Sequence, residues 1–192
     1  AQRIVRSRIV RWRAQRFSRP SSAIASSWTS AAYISATGGV DYEIVSGTVT
    51  GGYRAELESM IVDEELTDRV AIVGRKTDEE LLDLYHDTGL FILVSYSEAK
   101  NFEGFGIVFL EANACGVPVL TSRDGGMRDY VVDGDNGIYV ESPDADGIEA
   151  ALVRYFEARD RFNVEAIRAR PEPYRWMHIA ERMAAFYQER LH

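Results

Sequence analysis

With one cysteine in 192 residues, the chain can form no internal disulfide. Its three histidines, His86, His178 and His192, are scattered and share no metal-ligand spacing. No Ser-His-Asp or Cys-His arrangement can be built from them. No apolar run approaches the roughly 18 residues that read as a membrane span, and no signal-peptide pattern is expected. The expectation is a cytoplasmic chain, with contact at a membrane surface as the open alternative.

Acids are missing from one place. The first 19 residues hold seven arginines (Arg3, Arg6, Arg8, Arg11, Arg13, Arg16 and Arg19) and neither Asp nor Glu. The remainder carries 15 Lys or Arg against 30 acids, a net charge of −15. A basic arm on an acidic body suggests a tail for nucleic acid or a membrane surface. Ile4, Val5, Ile9, Val10 and Trp12 are interleaved with the arginines, which favours packing against an acidic neighbour instead. The acidic body argues against nucleic-acid binding by the domain as a whole.

A hydrophobic fraction of 46% over this length is enough for one folded domain. Strand and helix signals alternate along it. A helix is expected over Ala23–Ala36 and a strand over Tyr42–Ser46. A helix over Arg54–Val62 and a strand over Val70–Val73, ending at Gly74, come next. Thr77 or Asp78 caps a helix over Glu79–Asp87, with Leu81, Leu82, Leu84 and Tyr85 along one face. Leu90–Val94 is a continuous apolar run of strand length, as in a strand buried on both faces. Beyond residue 116 the expected elements are a strand at Val117–Thr121, a short helix at Met127–Val132 and a strand at Gly137–Val140. Helices at Asp146–Arg161 and Tyr174–Leu191 complete the chain. Short connections between alternating elements imply a Rossmann-like, doubly wound α/β sheet, mostly parallel, with helices on both faces. Residues 1–22 read as a basic segment serving as a first strand or linker, 23–170 as the sheet domain and 171–192 as a terminal helix.

Chemistry concentrates between Asn101 and Gly116. Gly104 and Gly106 flank Phe105 where a loop becomes a helix, and such a helix start offers unpaired N–H groups and a partial positive charge to a phosphate. Glu103 stands just before the glycines, and Glu111 follows eight residues later. The helical neighbours of Glu111 are Ile107, Val108, Ala114 and Cys115, all apolar, which places the carboxylate in or beside a buried stripe. A phosphate-ester pocket and a tight turn beside a core salt bridge both remain open on this pattern. Cys115 reads as a small buried hydrophobe.

Glu103-Gly104-Phe105-Gly106-Ile107-Val108-Phe109-Leu110-Glu111-Ala112, followed by Ala114-Cys115-Gly116-Val117-Pro118-Val119, resembles the E-x7-E signature of retaining glycosyltransferases of family 4. Downstream, Gly125-Gly126, Val131-Val132-Asp133-Gly134 and Asn136-Gly137 fall where that family has its GG…E-x-V-x-D-G…G segment, with Arg128 or Asp129 where a glutamate is usual. The resemblance covers about residues 40 to 155.

It implies the donor-binding, C-terminal half of a GT-B enzyme that takes a UDP- or GDP-sugar, needs no metal and retains anomeric configuration. By the same resemblance Glu111 would hold the ribose hydroxyls and Glu103, the catalytic candidate, would face the transferred sugar. Gly104, Phe105, Gly106 and Ile107 would supply backbone contacts, and Gly74, Arg75 and Lys76 would cradle the base. The diphosphate is held in the family by an arginine and, five residues on, a lysine. Arg16 fits the first position, and Ser21 occupies the second. The acceptor-binding half would lie outside this chain. A nucleotide-sugar-binding module without catalysis is the alternative, and a nucleic-acid binder acting through the arginine arm is a third.

Overall fold

The computed structural model describes residues 30–35, 42–46, 53–94, 106–123 and 125–190, with side chains described for 54–94, 106–123, 125–144 and 146–190. The elements in order are β1 (Ser30–Ser35), β2 (Tyr42–Ser46), α1 (Tyr53–Asp63), β3 (Val70–Ile72), α2 (Asp78–His86), β4 (Thr88–Leu93), α3 (Ile107–Ala114) and β5 (Val119–Ser122). A 3-10 turn (Gly125–Asp129), β6 (Gly137–Val140), α4 (Ala145–Ala158), α5 (Val164–Ala169) and α6 (Trp176–Arg190) follow. Among the described residues no helix is long and apolar enough to cross a membrane.

The strands form one sheet in the order β3-β2-β1-β4-β5-β6, the order of a dinucleotide-binding fold. β2 and β3 run parallel, as do β4 with β5 and β5 with β6. β1 is the exception, antiparallel to both of its neighbours. The expected helix over Ala23–Ala36 is therefore corrected: Ser30–Ser35 is a strand. Alanines favour a helix locally, but six residues that complete hydrogen-bonded ladders on both sides, Tyr33 opposite Glu43 and Phe91, gain more as a strand. The rest of that expected helix lies outside the described residues.

Alternation within β4 sorts the core into two layers. Leu90 and Ile92 point to one face with Leu120, Ile138 and Val140, where Leu57 and Ile61 of α1 and Ile148, Leu152 and Tyr155 of α4 cover them. Phe91 points the other way with Val119 and Tyr139, beneath Tyr85 of α2, Phe109 and Ala112 of α3, and Met127 and Tyr130. Leu90, Phe91 and Ile92 are completely buried. Side chains of this size contribute roughly 1.5–3 kcal/mol each on leaving water.

Two expected helices begin as the capping residues dictate. Thr77 is the N-cap of α2 in a complete capping box: its hydroxyl accepts from the Glu80 N–H at 3.3 Å, and Glu80 Oε2 accepts from the Thr77 N–H at 2.9 Å. That backbone bond, with Lys76 nearby, holds the Glu80 carboxyl below its usual range. Asp144 caps α4 through the Gly147 N–H at 2.8 Å. The expected helix over Met127–Val132 is instead the 3-10 turn Gly125–Asp129. α5 was not foreseen, since six residues with Ile167 as their one buried side chain are too few to show a period. It packs near the end of α3, where Gly116 adopts φ +84° and an added Cβ would fall 2.7 Å from Val164 Cγ1.

A polar network locks α3 to the segment before β6. Asn113, fully buried, donates through Nδ2 to the carbonyls of Val117 (2.8 Å) and Asn136 (3.2 Å). Its Oδ1 accepts from the Tyr130 hydroxyl and from Asn136 Nδ2, both at 2.7 Å, so all four of its hydrogen-bonding positions are used. Asn136 Oδ1 in turn accepts from the Val132 N–H at 2.7 Å. A satisfied network rigidifies, and one lost member leaves buried orphans. Asn113→Ala is therefore expected to cost at least about 3 kcal/mol in urea unfolding, because several groups lose partners at once. Tyr130→Phe should cost about 1 kcal/mol, since Asn113 Oδ1 keeps its bond from Asn136.

Buried phenols set the alkaline limit. Burial pushes Tyr155, whose hydroxyl donates to the Gly89 carbonyl at 2.6 Å, up to about 12. Burial raises Tyr130 in the same direction. An unfolded phenol releases its proton near pH 10, so the unfolded state binds fewer protons above that pH. The stabilising contribution is complete below pH ~10 and is lost toward the folded value, at no more than about 1.4 kcal/mol per pH unit for each phenol. Unfolding midpoints measured from pH 8 to 12 should fall most steeply above about pH 10, and less steeply there in Tyr155→Phe.

Candidate functional site

β1 is antiparallel to both β2 and β4, so β2 and β4 share a direction, and β3, β5 and β6 share it too. The carboxyl ends of five strands thus meet at one edge, where α/β sheets take ligands. β4 ends there, as does β3, which the Gly74–Lys76 turn follows, with β2 and β1 between the two strands.

α3 starts without a side-chain cap. Gly106 is its N-cap in the left-handed region (φ 70°, ψ 60°), and the Phe109 N–H reaches back to the Gly106 carbonyl at 2.9 Å. An added Cβ would fall 2.6 Å from Phe109 Cδ2, so backbone angle and space both require glycine. Phe109 is buried and packs edge-on against Phe91 of β4, ring centroids 5.8 Å apart. The first turn of α3 is thereby clamped to the strand it follows. The same added Cβ would lie 3.6 Å from Met127 Cγ, which places the 3-10 turn beside the helix start.

The expected burial of Glu111 is corrected: the residue is exposed. α3 is apolar nearly all round, and the sheet takes only the face carrying Phe109, Ala112 and Asn113. Two of the apolar neighbours that suggested burial, Ile107 and Ala114, are themselves exposed, Ile107 to 59%. Ile107, Glu111 and Ala114 therefore form an outward strip, an apolar surface carrying one carboxylate. On the side toward α2 that carboxylate meets the Tyr85 hydroxyl, 3.4 Å from Oε2. Tyr85 was legible as a face-lining residue of α2, but nothing in its spacing marked the hydroxyl as a partner of Glu111.

Gly74 also takes a positive φ, +68°, a conformation that favours glycine, and among the described residues nothing lies within 4 Å of an added Cβ. Arg75 beside it is exposed and Lys76 half-buried, both immediately ahead of the Thr77 cap. Glu103, Gly104, Phe105 and Arg16 lie outside the described residues, as does Ser21.

The downstream motif residues are largely architectural. Asp133 accepts the Tyr139 N–H at 2.9 Å and pairs with Arg154 of α4 at 2.6 Å. Asn136 belongs to the buried network. The Arg128 side chain bonds the Arg123 carbonyl, and the Arg123 guanidinium lies over the Tyr139 ring, 4.5 Å from its centroid. Asp129 is exposed, and its carbonyl accepts from the Tyr174 hydroxyl at 3.4 Å. Cys115 is half-buried with its thiol pushed up by burial, which disfavours a nucleophilic role.

Comparison with known proteins bears on this edge. The family model described as glycosyl transferases group 1 matches residues 41–169. D-inositol 3-phosphate glycosyltransferase of Mycolicibacterium smegmatis is 30% identical over 151 residues, covering 75% of this chain and 33% of that protein. Sucrose-phosphate synthase from Thermosynechococcus elongatus superposes with a TM-score of 0.60 at 29% identity, over 78% of this chain and 38% of its own. HepE of Anabaena, solved in complex with UDP, gives 0.57 at 25% identity, over 74% and 40%. The chain spans about a third of the length of the curated relatives it matches. With the profile matching two thirds of its length across the sheet and the α3 edge, this chain belongs to the glycosyl transferases group 1 family.

Proposed function

We propose that this chain is the donor-binding, C-terminal domain of a retaining GT-B glycosyltransferase of family 4, taking a UDP- or GDP-sugar without a metal. The observation that carries the reading is the left-handed Gly106 start of α3 at the carboxyl edge of β4, with Glu111 exposed on the same helix. A phosphate placed at that start meets N–H groups that have no partner within the helix. Those fixed dipoles stabilise the charge of a departing diphosphate without reorganising, which is electrostatic preorganisation rather than acid–base catalysis.

The remaining roles follow the resemblance. Glu111 accepts two ribose hydroxyls, and Ile107 offers an apolar surface beside it. Glu103 faces the transferred sugar, where its charge matters most as the glycosidic bond breaks. Gly104 and Phe105 add backbone contacts, while Gly74, Arg75 and Lys76 hold the base and Arg16 the diphosphate. HepE of Anabaena was solved with UDP, which supports a uridine nucleotide as the first donor to test. On this reading the acceptor site and the transfer reaction belong to a longer protein, which the greater length of the relatives supports. Ser21 in the usual lysine position favours the second reading, a nucleotide-sugar-binding module without catalysis.

Calorimetric titration of the chain with UDP and with GDP, without added metal, tests the donor site. Weak binding of at least one nucleotide is expected, and Glu111→Gln should reduce it by about tenfold, as charged hydrogen bonds give way to neutral ones. No heat with either nucleotide at millimolar concentration, or full affinity in Glu111→Gln, would remove the assignment.

A further inference from the structure

We propose that Tyr85 is a positioning residue for Glu111, holding one carboxylate oxygen so that the group is preset to receive the vicinal hydroxyls of a ribose; this rests on the donor-site reading above. The phenol is anchored at its ring, and its hydroxyl reaches α3. Tyr85 is 3% exposed, on the last turn of α2. Its ring sits 5.9 Å from Phe91, which is itself 5.8 Å from Phe109, so an aromatic row ties α2, β4 and the start of α3 together.

At the end of that row the hydroxyl stands 3.4 Å from Glu111 Oε2 and 3.5 Å from the Val108 carbonyl. Of these two acceptors the charged carboxylate is the stronger. A glutamate on an exposed helix face otherwise samples several rotamers, and ordering it costs binding free energy. A buried donor at one oxygen removes part of that cost before the ligand arrives, the support that a binding side chain needs from the residues behind it.

The competing role is structural: through Val108 the same hydroxyl joins α2 to α3, and its loss would loosen both helices whatever stands at position 111. A mutant cycle on the 192-residue chain separates the two. Affinity for UDP and GDP is measured by calorimetry in the parent, Tyr85→Phe, Glu111→Ala and the double variant. Tyr85→Phe, which keeps the ring, should weaken binding about three- to tenfold in the parent and leave it unchanged in the Glu111→Ala background. The same loss in both backgrounds, or no loss in the parent, overturns the positioning role.

Glu111→Asp provides a second route should Tyr85→Phe not fold. It keeps the charge but withdraws it from the phenol by one methylene, so a loss comparable to that expected of Tyr85→Phe supports the proposal and parent-like affinity overturns it. Failure of the parent chain to bind either nucleotide would overturn the donor-site reading and the positioning role together. Binding with losses independent of residue 111 would overturn the positioning role alone.

Discussion

The complete burial of β4 on both faces is the constraint on which the other layers depend. Leu90 and Ile92 nucleate one side of the sheet and Phe91 the other, and each is fully withdrawn from water. A strand covered on both faces needs helices above and below, and α1 with α4 on one side and α2 with α3 on the other meet that need. The next described helix after it is α3. Phe109 closes the circuit by packing its ring on Phe91. The stability of the core and the placement of the α3 start thus share one side chain.

That coupling explains why the helix start at Gly106 is narrowly specified. Its left-handed backbone turns the chain from strand exit to helix, and its lack of Cβ admits the Phe109 ring. Behind it the Asn113 network ties the far half of α3 to the segment before β6. A helix of eight residues has little stability of its own. Fixed at its start by an aromatic pair and toward its end by amide hydrogen bonds, α3 can still present Ile107 and Glu111 outward.

Burial of Glu111 was a reasonable inference from apolar neighbours, and it fails for an identifiable reason. Helical periodicity marks a buried stripe only when the opposite face is polar, and α3 is apolar nearly all round. On such a helix, sequence does not say which face the sheet takes. The exposed face is then an apolar strip with a carboxylate. The motif segment from Gly125 to Gly137 holds the converse lesson, for Asp133 and Asn136 serve the architecture through Arg154, Tyr139 and Asn113.

Local chemistry in the sequence was enough to determine the alternation of strands and helices from β2 to β5, the Thr77 cap, the two-sided burial of β4, and the glycines at 106 and 116. Each of these depends on neighbours within a few residues, and the signature around Glu111 pointed in the same way to a glycosyltransferase, the coarser level at which the family is shown. Tertiary structure alone decided the rest. Ser30–Ser35 became an antiparallel strand because a place between β2 and β4 was open, which outweighs the helical preference of its alanines. Tyr85 met Glu111 because the row Tyr85–Phe91–Phe109 brings α2 alongside α3, a contact between residues 26 positions apart. Composition and period report which side chains must leave water; which of them then touch is set by how the layers close.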